Sequence, residues 1–242
     1  AILVLQDKTA HYKIFEMRRD FIANASHELK TPITVIRGFA EALHENPTLP
    51  VETQMEVTNK IVRNCNRMAA LIKDLLTLAD IENIPSSRLT YFNVADLAEQ
   101  CFSMLAEVFP DAHVTIHKSK EDILLFADMD LLELAIMNLI ENAAKYSNRP
   151  AHIFVDLEDA KDNVIIKISD KGIGIPPADQ EHIFDRFYTV DKAHSQKMGG
   201  SGLGLSIVKT IVEKHFGTIT LQSELGQGST FTICIPKREE EK

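Results

Sequence analysis

The stretch Phe21-Ile22-Ala23-Asn24-Ala25-Ser26-His27-Glu28-Leu29-Lys30-Thr31-Pro32 carries a His–Glu pair on a helical repeat. Apolar residues recur at Phe21, Ala25, Leu29, Ile33, Ile36, Ala40 and Leu43, in steps of three or four, which predicts a long amphipathic helix. At about 100° per residue, His27 points away from the centre of that stripe, Thr31 lies one turn on beside it, and Glu28 falls on the flank between. The imidazole therefore faces solvent, with a carboxylate next to it able to hold one ring nitrogen and leave the other free. A solvated histidine without a role is the plain reading of any single such residue. The rest of the chain weighs against it here.

Working outward, the first helix is expected from about Ala10 to just before Asn46-Pro47-Thr48-Leu49-Pro50, where two prolines in four residues make a turn. A second helix is expected from Val51 to Glu82, with a heptad-like seam at Thr58, Ile61, Cys65, Met68, Ile72, Leu75 and Ala79. Two long helices joined by a short turn form an antiparallel hairpin. One hairpin has too little depth to bury both seams, so a homodimer closing a four-helix bundle is expected. Ile84 to Arg88 reads as a linker. Beyond it the pattern becomes mixed: helices over 94–109, 129–146 and 203–215, strands over 113–117, 123–126, 153–157 and 163–168, and a terminal hairpin of 217–223 and 229–235. The fold class is α+β.

The 242 residues allow one large domain or two modest ones. A net charge of −9, with no basic run, argues against nucleic acid as a partner. The three cysteines, Cys65, Cys101 and Cys234, are far apart and lack metal or redox spacing, which fits reduced structural thiols. No stretch reaches the ~20 apolar residues that span a bilayer. His113 and His117 are four apart, a spacing that builds no metal site on a strand.

Asn138 and Asn142 are four apart, on one face of an otherwise apolar helical segment. Asn is a poor helix former, so the pair needs a reason. An amide oxygen suits a hard cation such as Mg²⁺. Asp170-Lys171-Gly172-Ile173-Gly174 follows a strand; it is no dinucleotide fingerprint, because Pro177 stands where the third glycine belongs. Phe184 and Phe187 have the spacing of core aromatics, with Arg186 between them. Gly199-Gly200-Ser201-Gly202-Leu203-Gly204 opens a helix whose free N–H groups favour phosphate. It is not a Walker A loop, since Leu205-Ser206 replaces the required lysine and hydroxyl.

Together these segments resemble, in order, the boxes of sensor histidine kinases. The His27 run is similar to the HisKA phosphoacceptor box. Asn138 to Tyr146 resembles the N box of the ATPase superfamily that histidine kinases share with gyrase. Asp170 to Gly174 resembles the G1 box, Ile183 to Tyr188 the F box, and Gly200 to Gly204 the G2 box. The resemblance implies a Bergerat-type α/β sandwich that binds ATP and Mg²⁺. It makes Asn142 the metal ligand and Asn138 its support. Lys145 and Arg186 would contact phosphate, Tyr146 would border the base or ribose, and Asp170 would accept the adenine amino group. Gly172 and Gly174 would let backbone approach the base, and Gly200, Gly202, Leu203 and Gly204 would cradle phosphate. Thr189 to Met198 would be the ATP lid, with His194 where many relatives carry Arg.

The expected divisions are 1–9, the end of an upstream PAS-like sensor domain or a leader; 10–84, dimerisation and histidine phosphotransfer; and 89–237, ATP binding. The expected activity is phosphorylation of His27 by ATP with Glu28 as general base, then transfer to an Asp of a response regulator receiver domain. Thr31 would serve dephosphorylation of that regulator. The resemblance places the protein on the cytoplasmic side, with the membrane reached only through preceding segments. Two other classes remain open: a related ATPase without phosphotransfer, and a pseudokinase scaffold.

Overall fold

The computed structural model describes residues 9–81, 88–191 and 200–238, and of 9–18 and 20 the backbone only. The expected leader, linker residues 82–87, most of the lid with His194, and Gly199 lie outside those residues.

The chain begins with α1 (Thr9–Glu45) and α2 (Val51–Ile81). The turn expected at the two prolines separates them; Leu49 N donates to the Asn46 carbonyl at 3.3 Å. Pro32 lies inside α1 and is buried. Lacking an N–H, it leaves the carbonyl of Glu28, the residue after His27, without its helical donor. The stripe expected on α1 is sheltered at Phe21, Ala25, Leu29, Ile36 and Leu43, but Ile33 and Ala40 are exposed, and Pro32, Val35 and Phe39 are drawn inward beside it. The α2 seam splits in the same way. Ile61, Met68 and Leu75 are sheltered, whereas Thr58, Cys65, Ile72 and Ala79 are exposed. One seam on each helix meets its hairpin partner, and a second apolar row is left outside it.

Residue contacts divide the chain into Ala1–Lys73 and Asp74–Lys242. In the second unit, β1 (Thr90–Asn93) runs into α3 (Val94–Val108), followed by β2 (His113–Lys118), β3 (Leu124–Ala127) and α4 (Met129–Tyr146). Next come β4 (His152–Asp159), β5 (Asn163–Asp170), α5 (Gly204–Lys214), β6 (Thr218–Glu224) and β7 (Gly228–Pro236). Five strands form one sheet in the order β2-β4-β5-β7-β6. Only β2 and β4 are parallel; Val114 pairs with Ile153, and β5 pairs antiparallel with both β4 and β7. The sequence shows no strand over 90–93, yet β1 pairs antiparallel with β3 as a separate ribbon.

Strand alternation builds the core. Ile153, Val155, Leu157, Val164, Ile166, Ile168, Ile233 and Ile235 are buried on one face, against α4 and α5, with α3 packed on α4. Each buried Ile or Leu contributes about 1.5–3 kcal/mol. Helix starts are capped: Asn93 Oδ1 accepts from Ala95 N at 3.0 Å, and Asp128 Oδ1 accepts from Leu131 N at 3.2 Å. Burial pushes the Cys101 thiol up to about 12, as befits a structural cysteine. Phe216 keeps a left-handed backbone with φ 59°, and Arg238 stacks on its ring.

His215 closes the helical layer. Its Nε2 accepts from Asp128 N at 3.0 Å, so Nδ1 carries the proton and donates to the Ile211 carbonyl at 2.8 Å. Burial holds this histidine below its ordinary pKa, so the folded unit resists protonating it. The unfolded chain takes up that proton below pH about 6.5. This residue's stabilising contribution is therefore complete above that pH and declines as pH falls towards the lowered folded value. Urea midpoints at pH 7.5 and 5.5 are expected to show a loss of stability in the parent protein and a shallower loss in His215→Gln. Equal pH slopes would contradict this account.

Candidate nucleotide and phosphoacceptor sites

The phosphoacceptor candidate sits on α1. His27 is exposed, as its helical phase requires. Thr31 Oγ1 donates to the His27 carbonyl at 3.2 Å, so its hydroxyl leans on the helix backbone one turn away. Glu28 does not hold the imidazole. Its Oε2 accepts from Arg67 Nη2 of α2 at 3.0 Å, and the two side chains are 30% and 14% exposed. Arg67 had no place in the sequence reading. Its signal was an Arg on the inward side of α2, between Asn64 and Met68, level with Glu28 in a hairpin.

The other candidate site is assembled around α4. Eight of its residues are buried: Leu131, Leu132, Ala135, Ile136, Leu139, Ile140, Ala143 and Ala144. Asn138 and Asn142 share the remaining face and are half-buried. Asn138 is engaged at both ends of its amide. Its nitrogen donates to the Leu134 carbonyl at 2.9 Å, and its oxygen lies where a Cβ on Gly204 would come within 2.7 Å. Among the described residues, the Asn142 amide has no hydrogen-bond partner. Lys145 donates to Glu141 at 2.8 Å.

Gly172 meets the C-terminal end of α4, where a Cβ would stand 2.4 Å from the Tyr146 carbonyl oxygen. Ile173 N donates to that carbonyl at 3.1 Å, and Gly226 N donates to the Ile173 carbonyl at 2.7 Å. Gly174 has φ +67°, and a Cβ there would fall 2.0 Å from the Glu224 carbonyl oxygen. Asp170 Oδ1 accepts from Gly172 N at 2.8 Å. Burial raises the Asp170 carboxyl above the ordinary carboxylate value, against the lowering effect of N–H donation from Gly172 and Ser229. The β6–β7 turn was not expected to take part; Gly228, with φ +106°, lets the Asp170 carbonyl come close.

Gly202 packs on Phe187, and Phe187 N donates to the Gly202 carbonyl at 2.9 Å. Phe187 is itself left-handed, with φ 65°. Phe184 packs edge-on against Phe231 at 6.3 Å, in keeping with a core aromatic. Arg186 is exposed. Leu203 precedes α5 without a side-chain cap, which leaves the first N–H groups of that helix to other acceptors. The structure thus brings Asn138, Tyr146, Asp170, Gly172 and Gly204 together around α4. Among the described residues, no group of three or more His, Cys, Asp or Glu side chains has metal-site geometry. A hard cation here would rely on amide oxygen, which fits Asn142.

Comparisons with known proteins fall on the same segments. Residues 17–84 match the family model of the His Kinase A (phospho-acceptor) domain. Residues 127–239 match the Histidine kinase-, DNA gyrase B-, and HSP90-like ATPase family model. Over 240 residues the chain is 35% identical to the Sensor-like histidine kinase SenX3 of Mycobacterium tuberculosis, covering 98% of this chain and 58% of that protein. Over 249 residues it is 36% identical to the Sensor histidine kinase WalK of Bacillus subtilis, covering 100% of this chain and 40% of that one. The chain thus spans less than two thirds of these relatives. Among solved structures, the Acinetobacter baumannii histidine kinase AdeS is similar with a TM-score of 0.69 and 26% identity, over 88% of this chain and 98% of that chain. The histidine kinase ThkA, in its complex with the response regulator protein TrrA, shares the fold, with a TM-score of 0.77 and 22% identity over 96% of this chain and 65% of that chain.

The docking of the 172–174 loop gives a direct stability test. Gly174→Ala adds a methyl against backbone at positive φ and is expected to cost at least about 2 kcal/mol. Gly226→Ala has φ +81° but open space around it, and should cost only about 1 kcal/mol for its φ. Equal losses in thermal melts would mean that the loop does not rest tightly on the β6–β7 turn.

Proposed function

The chain belongs to the sensor histidine kinases, and we propose that it is the ATP-dependent phosphorylating portion of such a protein, with His27 as the acceptor. The observation that carries the reading is the half-buried Asn142 amide. It has no partner among the described residues, and it lies one turn from where Gly204, the first residue of α5, meets Asn138. An amide oxygen in that place is accessible and uncommitted to the protein, as a metal ligand must be.

Asn142 would hold Mg²⁺ through its amide oxygen, with Asn138 fixing the neighbouring turn. Bound Mg²⁺ supplies charge neutralisation on the transferred phosphoryl group. Asp170 would accept the adenine amino group, with Gly172 and Gly174 allowing close backbone approach and Tyr146 bordering the base or ribose. The first N–H groups of α5, beginning at Gly204, would meet phosphate, while the Leu203 N–H is already held by the Ser201 hydroxyl at 3.1 Å. Arg186 would add a phosphate contact, and so would Lys145, on exchanging its Glu141 partner. In the transfer, the free ring nitrogen of His27 attacks the γ-phosphorus. A nitrogen–phosphorus bond forms, the oxygen–phosphorus bond to ADP breaks, and the proton on the other ring nitrogen passes to Glu28. The phosphoryl group is then handed to an Asp of a response regulator receiver domain.

A homodimer is the form proposed. Ile22, Ile33, Val62, Ile72 and Leu76 are 43–64% exposed on the hairpin, an apolar cover that a second hairpin would bury as a four-helix bundle. No helix among the described residues is long and apolar enough to cross a membrane. The proposed setting is the cytoplasmic side, with membrane attachment through segments outside this chain. The proposed divisions are phosphotransfer over 10–84 and ATP binding over 89–237.

Incubation with ATP and Mg²⁺ is expected to give a phosphoprotein that is labile in acid and stable in base. His27→Gln should lose the label and still bind ATP. Label that survives the substitution would overturn the assignment. Thr31→Ala is expected to keep autophosphorylation and transfer but lose phosphatase activity on the phosphorylated regulator. Equal loss of all three would reduce Thr31 to a helix-shaping residue.

A further inference from the structure

We infer that Arg67 is a positioning residue for the His27 reaction: from α2 its guanidinium anchors Glu28 by one carboxylate oxygen and leaves the other for the imidazole. This rests on the kinase reading above and adds a residue to it. The contact is Nη2 to Oε2 at 3.0 Å, between side chains 39 positions apart in sequence. Oε1 of Glu28 has no partner among the described residues.

Packing alone gives Arg67 no reason to be there. Asn64, Met68 and Leu71 lie on the same sheltered side of α2, and Arg67 is 14% exposed. An apolar residue in that place would avoid the desolvation of a cation, and half-buried ion pairs are weak sources of stability. What the pair does supply is direction. The single charge-assisted contact pins one carboxylate oxygen at the guanidinium, which keeps the Glu28 side chain extended towards α2 while the other oxygen stays open. Glu28 follows His27 directly in α1, about 100° round the helix. Left alone, its flexible side chain would sample solvent. Bound to Arg67, it is held at the seam between α1 and α2, and its placement depends on the register of the two helices. A shift of α2 along α1 would therefore move the base relative to the imidazole without touching either residue.

The test is autophosphorylation kinetics of the full chain with ATP and Mg²⁺. Arg67→Met is expected to lower kcat about 10-fold to 100-fold, the cost of a base misplaced by about an ångström, with KM for ATP unchanged. Arg67→Lys, which restores a cation without the fork, should recover part of the rate. In a Glu28→Gln background, Arg67→Met should bring no further loss, since the anchored group is already gone. Circular dichroism and light scattering check the fold and oligomeric state of each variant; should Arg67→Met not fold, Arg67→Gln takes its place in the same comparison. A kcat within about twofold of the parent, or losses that multiply with Glu28→Gln, would overturn the inference. A parent protein that takes no label on His27 would instead overturn the kinase reading.

Discussion

Helix α4 must satisfy two environments at once, and the nucleotide end of the protein depends on how it does so. Eight of its residues are sealed against the sheet and its neighbouring helices. At about 1.5–3 kcal/mol for each large aliphatic side chain, that burial outweighs the helix propensity lost at two asparagines, about 0.7 kcal/mol each at most. The asparagines are thus tolerated on the remaining face, and their orientation is dictated by the apolar residues opposite. Both glycine loops then use α4 as a wall. Gly172 rests on its last carbonyl, and Gly204 rests on Asn138. In each place a methyl group would collide, so the loops are glycine-rich because they touch the helix. The same closeness brings an uncapped helix N-terminus and the half-buried Asp170 carboxylate to one helix. In the proposed function the first would meet phosphate and the second would accept the adenine amino group.

The helical hairpin follows a different logic. Its two helices share one seam and leave a second apolar row outside it, with Ile72 at 43% and Ile22 at 64% exposure. His27 stands in solvent, while its neighbour Glu28 reaches to the seam. In the proposed reaction the acceptor would therefore be free to meet a partner domain, and the carboxylate proposed to take its proton is held by Arg67 of α2. Pro32 adds to this by withdrawing a backbone donor from Glu28 itself.

Much of this was legible from residue spacing. The bounds of α4 were read to the residue, and the hairpin, its proline turn and the β6–β7 pair were close to what the patterns imply. Strand β1 was missed because four residues, Thr90-Tyr91-Phe92-Asn93, are too few to show alternation, and its partner β3 is equally short. The inward stripe of α1 was read in the main, missing at Ile33 and Ala40, and that of α2 only at Ile61, Met68 and Leu75, because each helix carries two apolar rows and periodicity does not say which one meets the hairpin partner. The site was legible in outline, through Asn138, Asn142, Asp170 and the glycines. The partner of Glu28 was not, because ion pairs between helices depend on register, which one helix alone cannot reveal. The part taken by the β6–β7 turn was hidden for a similar reason: Gly228 sits beside Asp170 through tertiary packing 58 positions away.

The claim on which the account rests is that the open Asn142 amide is where metal and nucleotide meet. Calorimetric titration of ATP into the protein, with and without Mg²⁺, tests it most directly. The account predicts tighter binding with Mg²⁺ in the parent and loss of that metal dependence in Asn142→Ala, with the fold kept. An Asn142→Ala protein that still bound ATP more tightly with Mg²⁺, to the same extent as the parent, would contradict it.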